Sequence, residues 1–206
     1  MASVVSICNL SLSNVGKDNI SDLKEASAEA RACNQWYAHT RDVLLQSYAW
    51  KAAGKTASLA ETTNDKPGVW KYAYVLPADC LKVRWIRPNY SADLGDDLQS
   101  VGALGREDQY PYEIEGGTLY CNLSPCLLRY TFRLTDPTKF SPLFIDALSW
   151  HLAVRLAMPL TRDPKVRADA LGVAQSTQAT AEAADASEER TSYDFVSEFV
   201  AVRCHG

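Results

Sequence analysis

The sequence predicts an α+β fold: a helical bundle with an inserted small antiparallel β-sandwich or barrel module and an extended C-terminal arm. Two observations lead to this prediction. Apolar residues recur at helical spacing in the first and last thirds of the chain, whereas in the middle third they alternate with a period of two. We therefore expect a discontinuous helical bundle domain over 1–66 and 137–190, a β module over 67–136 and an arm over 191–206.

The first third is predicted to form two helices. The apolar face of the first consists of Val4, Cys8, Leu12 and Val15. Gly16 follows at a position suited to a left-handed cap. The second helix begins after Ser27, a predicted N-cap, carries Glu29 in its first turn and keeps helical spacing to about Trp50. The segment 51–68 has no periodicity and is rich in turn-forming residues, so we interpret it as a connector.

The middle third is predicted to form five strands. The alternating apolar positions are Trp70, Tyr72, Tyr74 and Leu76, then Leu81, Val83 and Trp85, and finally Leu128, Tyr130, Phe132 and Leu134. Between them, the segments 110–115 and 118–122 flank the dipeptide Gly116-Gly117. Glycine tolerates positive φ, which a two-residue hairpin turn requires. These strands form the predicted antiparallel module.

The last third returns to helical spacing. Ser141-Pro142 is typical of an N-cap and a first-turn proline, and 143–158 is apolar almost all round, which predicts a buried helix that ends at Pro159. Asp163-Pro164 starts another helix in the same way, and its spacing continues to about Arg190. This last helix is rich in alanine, which has strong helix propensity but little side-chain area to bury.

Composition and charge exclude several classes of protein. The 206 residues are 47% hydrophobic and 22% charged, values typical of a folded globular chain. The formal net charge of −4 argues against a protein that grips nucleic acid through a basic face. No basic residue precedes Lys17, so we expect no secretory leader. The apolar stretch 143–160 contains Asp146, His151 and Arg155, so we expect no membrane span and a protein made in the cytoplasm.

The cysteines and histidines do not form a recognisable metal site. The six cysteines are scattered and predicted to be reduced and mostly buried. The three histidines are far apart in sequence, and His151 is interpreted as a hydrogen-bonded core or interface residue. We therefore predict neither a metal nor a cofactor.

Candidate catalytic residues are few. Glu113 and Glu115 would share one face of a strand at a separation of about 7 Å, which glycoside hydrolysis can use. Charged pairs on the solvent side of a hairpin are much commoner. The loop aspartates Asp93, Asp96 and Asp97 lack the spacing of a calcium-binding loop. The sequence therefore predicts no catalytic residue and no enzyme, with cell-wall or polysaccharide hydrolysis as the catalytic alternative.

Several segments, taken in order, resemble the tail tubular protein A family, the head-to-tail adaptor (connector) proteins of short-tailed bacteriophages. The matching N-terminal segments are Ile7-Cys8-Asn9-Leu10, Val15-Gly16, Ile20, Glu25-Ala26-Ser27, Glu29-Ala30-Arg31-Ala32-Cys33-Asn34, Tyr37, Arg41-Asp42-Val43-Leu44-Leu45 and Ala49-Trp50. The later ones are Trp70-Lys71-Tyr72-Ala73-Tyr74, Leu76-Pro77-Ala78-Asp79-Cys80-Leu81, Asp136-Pro137, Phe140-Ser141-Pro142-Leu143-Phe144 and Asp146-Ala147-Leu148. The resemblance covers most of the chain from Ile7 to about Leu160 and is weak over 88–108 and in the arm.

The resemblance implies a virion protein of the tail or neck, made in the host bacterial cytoplasm. Its expected partners are further copies of the chain in a ring of twelve, the portal protein, a downstream tail tube or nozzle protein, and double-stranded DNA that passes through without specific binding. The residues expected to bind the portal are Tyr193, Phe195, Phe199, Val200, Val202 and Arg203. Those expected to pack the ring are Ala170, Ala174, Ala181 and Ala184. Another virion connector, such as a tail terminator or head completion protein, is the structural alternative.

Overall fold

The computed structural model describes residues 2–88 and 110–188. Within these ranges the fold combines α-helices with two antiparallel sheets, which agrees with the predicted α+β class. The helices are α1 (Val4–Asn14), α2 (Ala28–Ser47), α3 (Pro142–Thr161) and α4 (Pro164–Ser187), with short 3-10 turns at Lys51–Ala53 and Pro137–Lys139. The strands are β1 (Gly54–Ser58), β2 (Glu61–Thr62), β3 (Tyr72–Val75), β4 (Cys80–Pro88), β5 (Tyr112–Glu115), β6 (Thr118–Cys121) and β7 (Cys126–Phe132).

Polar side chains cap the helices where the sequence predicted. Ser27 accepts a hydrogen bond from the backbone N–H of Ala30 at the start of α2, and Ser141 accepts one from Phe144 at the start of α3. Asp163 caps α4 in the same way. Each cap satisfies a backbone donor that has no partner within its own helix. These three predicted helix starts are confirmed.

Helix α3 lies at the centre of the helical part and contacts α1, α2 and α4. The prediction that Pro159 ends it is wrong, because the helix continues to Thr161. Proline removes one backbone donor but keeps a helical φ, so it weakens a helix without always ending it. The helix ends instead at Arg162, whose φ of 57° is left-handed and whose N–H donates to the carbonyl of Met158.

By length and composition alone, α3 is apolar enough to cross a membrane. However, 44% of its most apolar window is buried inside the fold. Phe144, Leu148, Leu152 and Leu156 are buried in a core shared with α1 and α2. Its apolar character therefore has a sufficient explanation in the packing of the helices.

The strands form a three-stranded sheet in the order β1-β7-β4 and a four-stranded sheet in the order β2-β3-β6-β5. The predicted hairpin is confirmed: β5 and β6 are antiparallel, and Gly116 and Gly117 both have positive φ, 55° and 84°. A second core fills the strand region. It includes Tyr74, Leu119, Leu128 and Tyr130.

The interpretation of 51–68 as a connector is wrong in part, because β1 and β2 lie within it. Each of these strands is at the edge of its sheet, β1 beside β7 and β2 beside β3. Edge strands are commonly short and polar. Lys55, Thr56 and Glu61 are exposed, so these strands show no alternating apolar signal. The division of the chain into domains stays a prediction.

Candidate functional site

A cleft of about 550 Å³ lies between the helical part and the three-stranded sheet. The end of α2 and the following turn contribute Tyr48, Trp50 and Lys51, and the last turn of α4 contributes Asp185. The sheet contributes Arg84 and Arg129, among other residues. The cleft therefore joins segments that are far apart in the sequence, and we call it the arginine cleft.

Arg84 reaches the arginine cleft from β4. The pairing of β4 with β7 shifts its register between Val83 and Trp85, so Arg84 is the additional residue of an irregularity in the strand. Its Nε donates to the Thr131 hydroxyl at 2.6 Å, and its Nη2 donates to the Tyr48 carbonyl. Burial lowers the pKa of the Arg84 guanidinium, because the charged form loses solvation. Arg84 is thus held in a fixed orientation by neutral partners.

Arg129 reaches the arginine cleft from β7. Leu128 and Tyr130 are buried in the second core, so the alternation of a strand directs Arg129 to the other face. Its Nη1 donates to the Thr56 hydroxyl at 3.1 Å. Its guanidinium also lies against Gly54, where an added Cβ would be 2.3 Å from Nη2. A larger residue at this position would displace the flexible end of the Arg129 side chain.

Within residues 2–88 and 110–188, neither Arg84 nor Arg129 forms an ion pair with a carboxylate. The acid in the cleft is Asp185, which accepts the Lys51 backbone N–H at 3.2 Å. Burial raises the pKa of Asp185 above its ordinary value, and the Lys51 bond opposes this effect. With Lys51 included, three cationic side chains line a cleft that contains one acid. The arrangement can accept an anionic group.

A second cavity, of about 260 Å³, adjoins the arginine cleft and shares Trp50 and Asp185 with it. Its large apolar lining residues are Leu45, Trp50, Leu134, Phe140 and Phe144, and we call it the apolar pocket. It is also lined by Glu188, at which the described part of the chain ends. An anion-accepting cleft and an apolar pocket thus lie side by side at the C-terminal end of α4.

The predicted pair Glu113 and Glu115 lies on β5 and shares one partner. Lys66 Nζ donates to Glu113 at 2.7 Å and also to Glu115, and Trp70 Nε1 donates to Glu113 at 2.7 Å. The hydrogen bonds from Lys66 and Trp70 lower the pKa of Glu113. A glycosidase requires one carboxylic acid with a raised pKa. In the described structure, Glu113 and Glu115 thus belong to a partly exposed ion-pair cluster with Lys66, and the hydrolase alternative stays a prediction.

The cysteines and the loop aspartates are residue types that could bind a metal ion. The structure describes five of the six cysteines, all free, and four of them are buried, as predicted. Within the described ranges there is no group of three or more metal-ligating side chains. Asp93, Asp96 and Asp97 lie outside the described residues.

The four alanines predicted to pack the ring are not placed on an outer surface. Ala170, Ala174 and Ala181 are buried within the chain, and Ala184 is half-buried. Helix α4 makes its most extensive packing contact with α3, which covers this face. A single chain already uses the small side chains of Ala170, Ala174 and Ala181 to bring α3 and α4 close together. Their contribution to a ring stays a prediction.

The opposite face of α4 is exposed and also consists of small residues. They are Ala168, Gly172, Ser176, Ala179, Ala183 and Ala186, spaced three or four apart, and we call them the small-residue stripe. Leu171 and Val173 flank the stripe and are 44% and 38% exposed. A helical wheel of the sequence shows both faces of the helix, but it does not show which of them α3 covers.

The residues predicted to bind the portal, 193–203, lie outside the described residues. The predicted role of His151 as a hydrogen-bonded residue is confirmed: its Nε2 is 2.7 Å from Gln178 Oε1, which joins α3 to α4. The site residues predicted from the sequence do not include Arg84, Arg129 or Asp185. The one local signal in the sequence is the position of Arg129 between the core residues Leu128 and Tyr130.

The α3–α4 contact is expected to weaken as the pH falls. Burial lowers the pKa of His151 below its ordinary value of 6.5. The unfolded chain then binds a proton more readily than the folded chain, so stability is lost as the pH falls through about 6.5. We expect urea unfolding to show a smaller loss of stability between about pH 7.5 and 5.5 in His151→Gln than in the native chain.

The matched control for this experiment is His39→Gln, since His39 is exposed on α2. This variant should keep the pH dependence of the native chain. An equal pH dependence in the native chain and in His151→Gln would contradict the prediction.

No protein-family model matches the chain, and no curated protein matches it. The resemblance to phage adaptors therefore rests on the sequence segments quoted above.

Proposed function

We propose that the chain is a head-to-tail adaptor of a short-tailed bacteriophage. In this proposal twelve copies form a ring beneath the portal, which connects the capsid to the downstream tail and carries the exit channel for double-stranded DNA. The chain would combine a helical bundle with an inserted β-sandwich or barrel and a C-terminal arm on the portal. The observation that best supports the proposal is the exposed small-residue stripe of α4.

The small-residue stripe has the properties of a lateral packing surface. At 24 residues, α4 is about 36 Å long. One face is covered by α3, whereas the stripe on the opposite face allows another backbone to approach closely. The exposed Leu171 and Val173 on either side add apolar area to such a contact. A subunit in a closed ring requires a lateral surface of this kind.

The charge of the chain also supports the proposal. The formal net charge is −4, and a ring multiplies it around one axis. A negatively charged conduit repels phosphate groups, so DNA passes without adhering to the wall. This argument concerns the whole chain and assigns no residue to the lumen.

A charged side chain in the stripe is expected to prevent ring assembly. In Ala179→Arg, a long cation replaces a small side chain that is exposed in the protomer, so the protomer should keep its thermal stability. The ring should be lost, because the helices can no longer approach and the charge would be desolvated. The measurement is the mass of the complex formed with the cognate portal, together with electron microscopy of the particles.

The matched control is Ala38→Arg, which introduces the same change at an exposed position of α2. The control should assemble normally. Normal assembly of Ala179→Arg on the portal would contradict the assignment of the stripe. Rings that bind a tail tube but not the portal would favour the alternative of a tail terminator or completion protein.

A further inference from the structure

The arginine cleft contains more positive charge than its described surroundings compensate. Arg84 and Arg129 are half-buried and donate to hydroxyl and carbonyl oxygens, without an ion pair in the described ranges. Charged groups that lose solvent are usually paired. A planar guanidinium is best paired by a carboxylate or a phosphate, which it can bind with two parallel hydrogen bonds. Among the described residues, the guanidinium groups of Arg84 and Arg129 therefore have no anionic partner, although Asp185 lies in the same cleft.

The apolar pocket adjoins the two arginines, and it limits which kind of molecule can carry the anionic group that they bind. The two cavities share Trp50 and Asp185, so one bound segment can enter both. The complement of the site is an acidic residue next to a large apolar one. A nucleic acid is a poorer complement, because its closely spaced phosphates would meet Asp185 and the apolar pocket.

We propose that the arginine cleft and the apolar pocket together bind the chain's own segment Tyr193–Val200. The carboxylate of Asp194 would pair with Arg84 and Arg129, and the ring of Phe195 would enter the apolar pocket. This is an intramolecular docking site of the free protomer, and it does not depend on the proposed function, in which the same segment would leave the site to contact the portal. It assigns the C-terminal segment a binding site on its own protomer.

Three features of the sequence and the structure point to this occupant. The segment contains an acidic residue directly followed by an aromatic one, at Asp194-Phe195 and again at Glu198-Phe199. The described chain ends at Glu188, which already lines the apolar pocket. Six further residues reach about 20 Å when extended, so Asp194 can return to the neighbouring cleft. A tethered segment also has a high effective concentration at such a site.

The test is hydrogen–deuterium exchange of the full-length protein, read on peptides that cover 193–200. We expect these amides to exchange more slowly in the protein than in a free peptide of the same sequence. Arg129→Gln and Asp194→Asn should each accelerate exchange on the order of tenfold, because each removes a charge-assisted hydrogen bond. Arg129 is the residue to change, since the described fold uses it for one exposed bond, to Thr56.

Two further variants make the result specific. The charge exchange Arg129→Asp with Asp194→Arg should restore the protection that either single change removes. Arg31→Gln, at an exposed arginine of α2, should leave exchange of the segment unchanged. Circular dichroism of each variant checks that the fold is intact.

Several outcomes would overturn the proposal. They are exchange of the native segment at the rate of the free peptide, protection that both single variants leave unchanged, and protection that rises with protein concentration, which indicates a second copy. Binding of a short DNA duplex that depends on Arg129 and leaves the exchange of the segment unaltered would assign the cleft to nucleic acid instead. None of these results depends on ring formation, so failure here and failure of the proposed function are distinguishable.

Discussion

Replacing Trp50 with alanine is expected to lower the free energy of unfolding by about 3–5 kcal/mol. Trp50 is 3% exposed, and its indole Nε1 donates to the Leu44 carbonyl at 2.8 Å. Its ring meets those of Tyr48 and Phe144 edge-on, each at a centroid distance of 5.0 Å. Alanine removes this aromatic packing and the indole hydrogen bond and leaves a cavity, whereas the Leu44 carbonyl keeps its hydrogen bond from the Ser47 hydroxyl at 2.8 Å.

The measurement is urea unfolding followed by circular dichroism, with the native slope as a check of two-state behaviour. Trp50→Phe is the graded control, because it keeps a ring in the core and loses the hydrogen bond. Trp50→Phe should therefore lower the free energy of unfolding clearly less than Trp50→Ala does. Equal effects of the two variants would show that aromatic packing at this site contributes little.

Replacing Ala174 with leucine is expected to destabilise the protein by about 1–3 kcal/mol, whereas the same change at Ala179 should have little effect. Ala174 is 0% exposed and lies on the buried face of α4, and Ala179 is exposed on the opposite face. Three additional carbons at Ala174 must force α3 and α4 apart or adopt strained rotamers. At Ala179 they extend into solvent.

Ala179→Leu is a matched control, since residue type, helix and substitution are the same and only the face differs. Thermal unfolding of both variants measures the difference. Similar losses at the two positions would contradict the orientation of α4. Because the stripe depends on this orientation, the pair also tests the basis of the proposed ring surface.

Much of the helical structure could be predicted from the sequence, because it depends on residues close together in the chain. Ser27, Ser141 and Asp163 act as caps through backbone donors two or three residues further on. The Gly116-Gly117 hairpin is equally local, since positive φ is a property of the two residues themselves.

The edge strands β1 and β2 could not be predicted in this way. Their stability comes from pairing with β7 and β3, and β7 lies about seventy residues further along the chain. Their own exposed residues show no pattern that distinguishes a strand from a loop. The extension of α3 from Pro159 to Thr161 could not be predicted either, because it also depends on distant residues. Packing against α4 supports this last turn, which the local helix propensity of proline disfavours.

The sequence by itself determined the class of the fold, the starts of three helices and the alternation of Leu128 and Tyr130 on the core face of a strand. Only the tertiary structure decided which face of α4 is buried, that Arg84 and Arg129 line one cleft, and that Asp185 lies in it. The physical reason is that capping and periodicity act over a few residues, whereas a cleft is formed by segments more than a hundred residues apart. The packing of the whole core decides which of these segments lie next to one another.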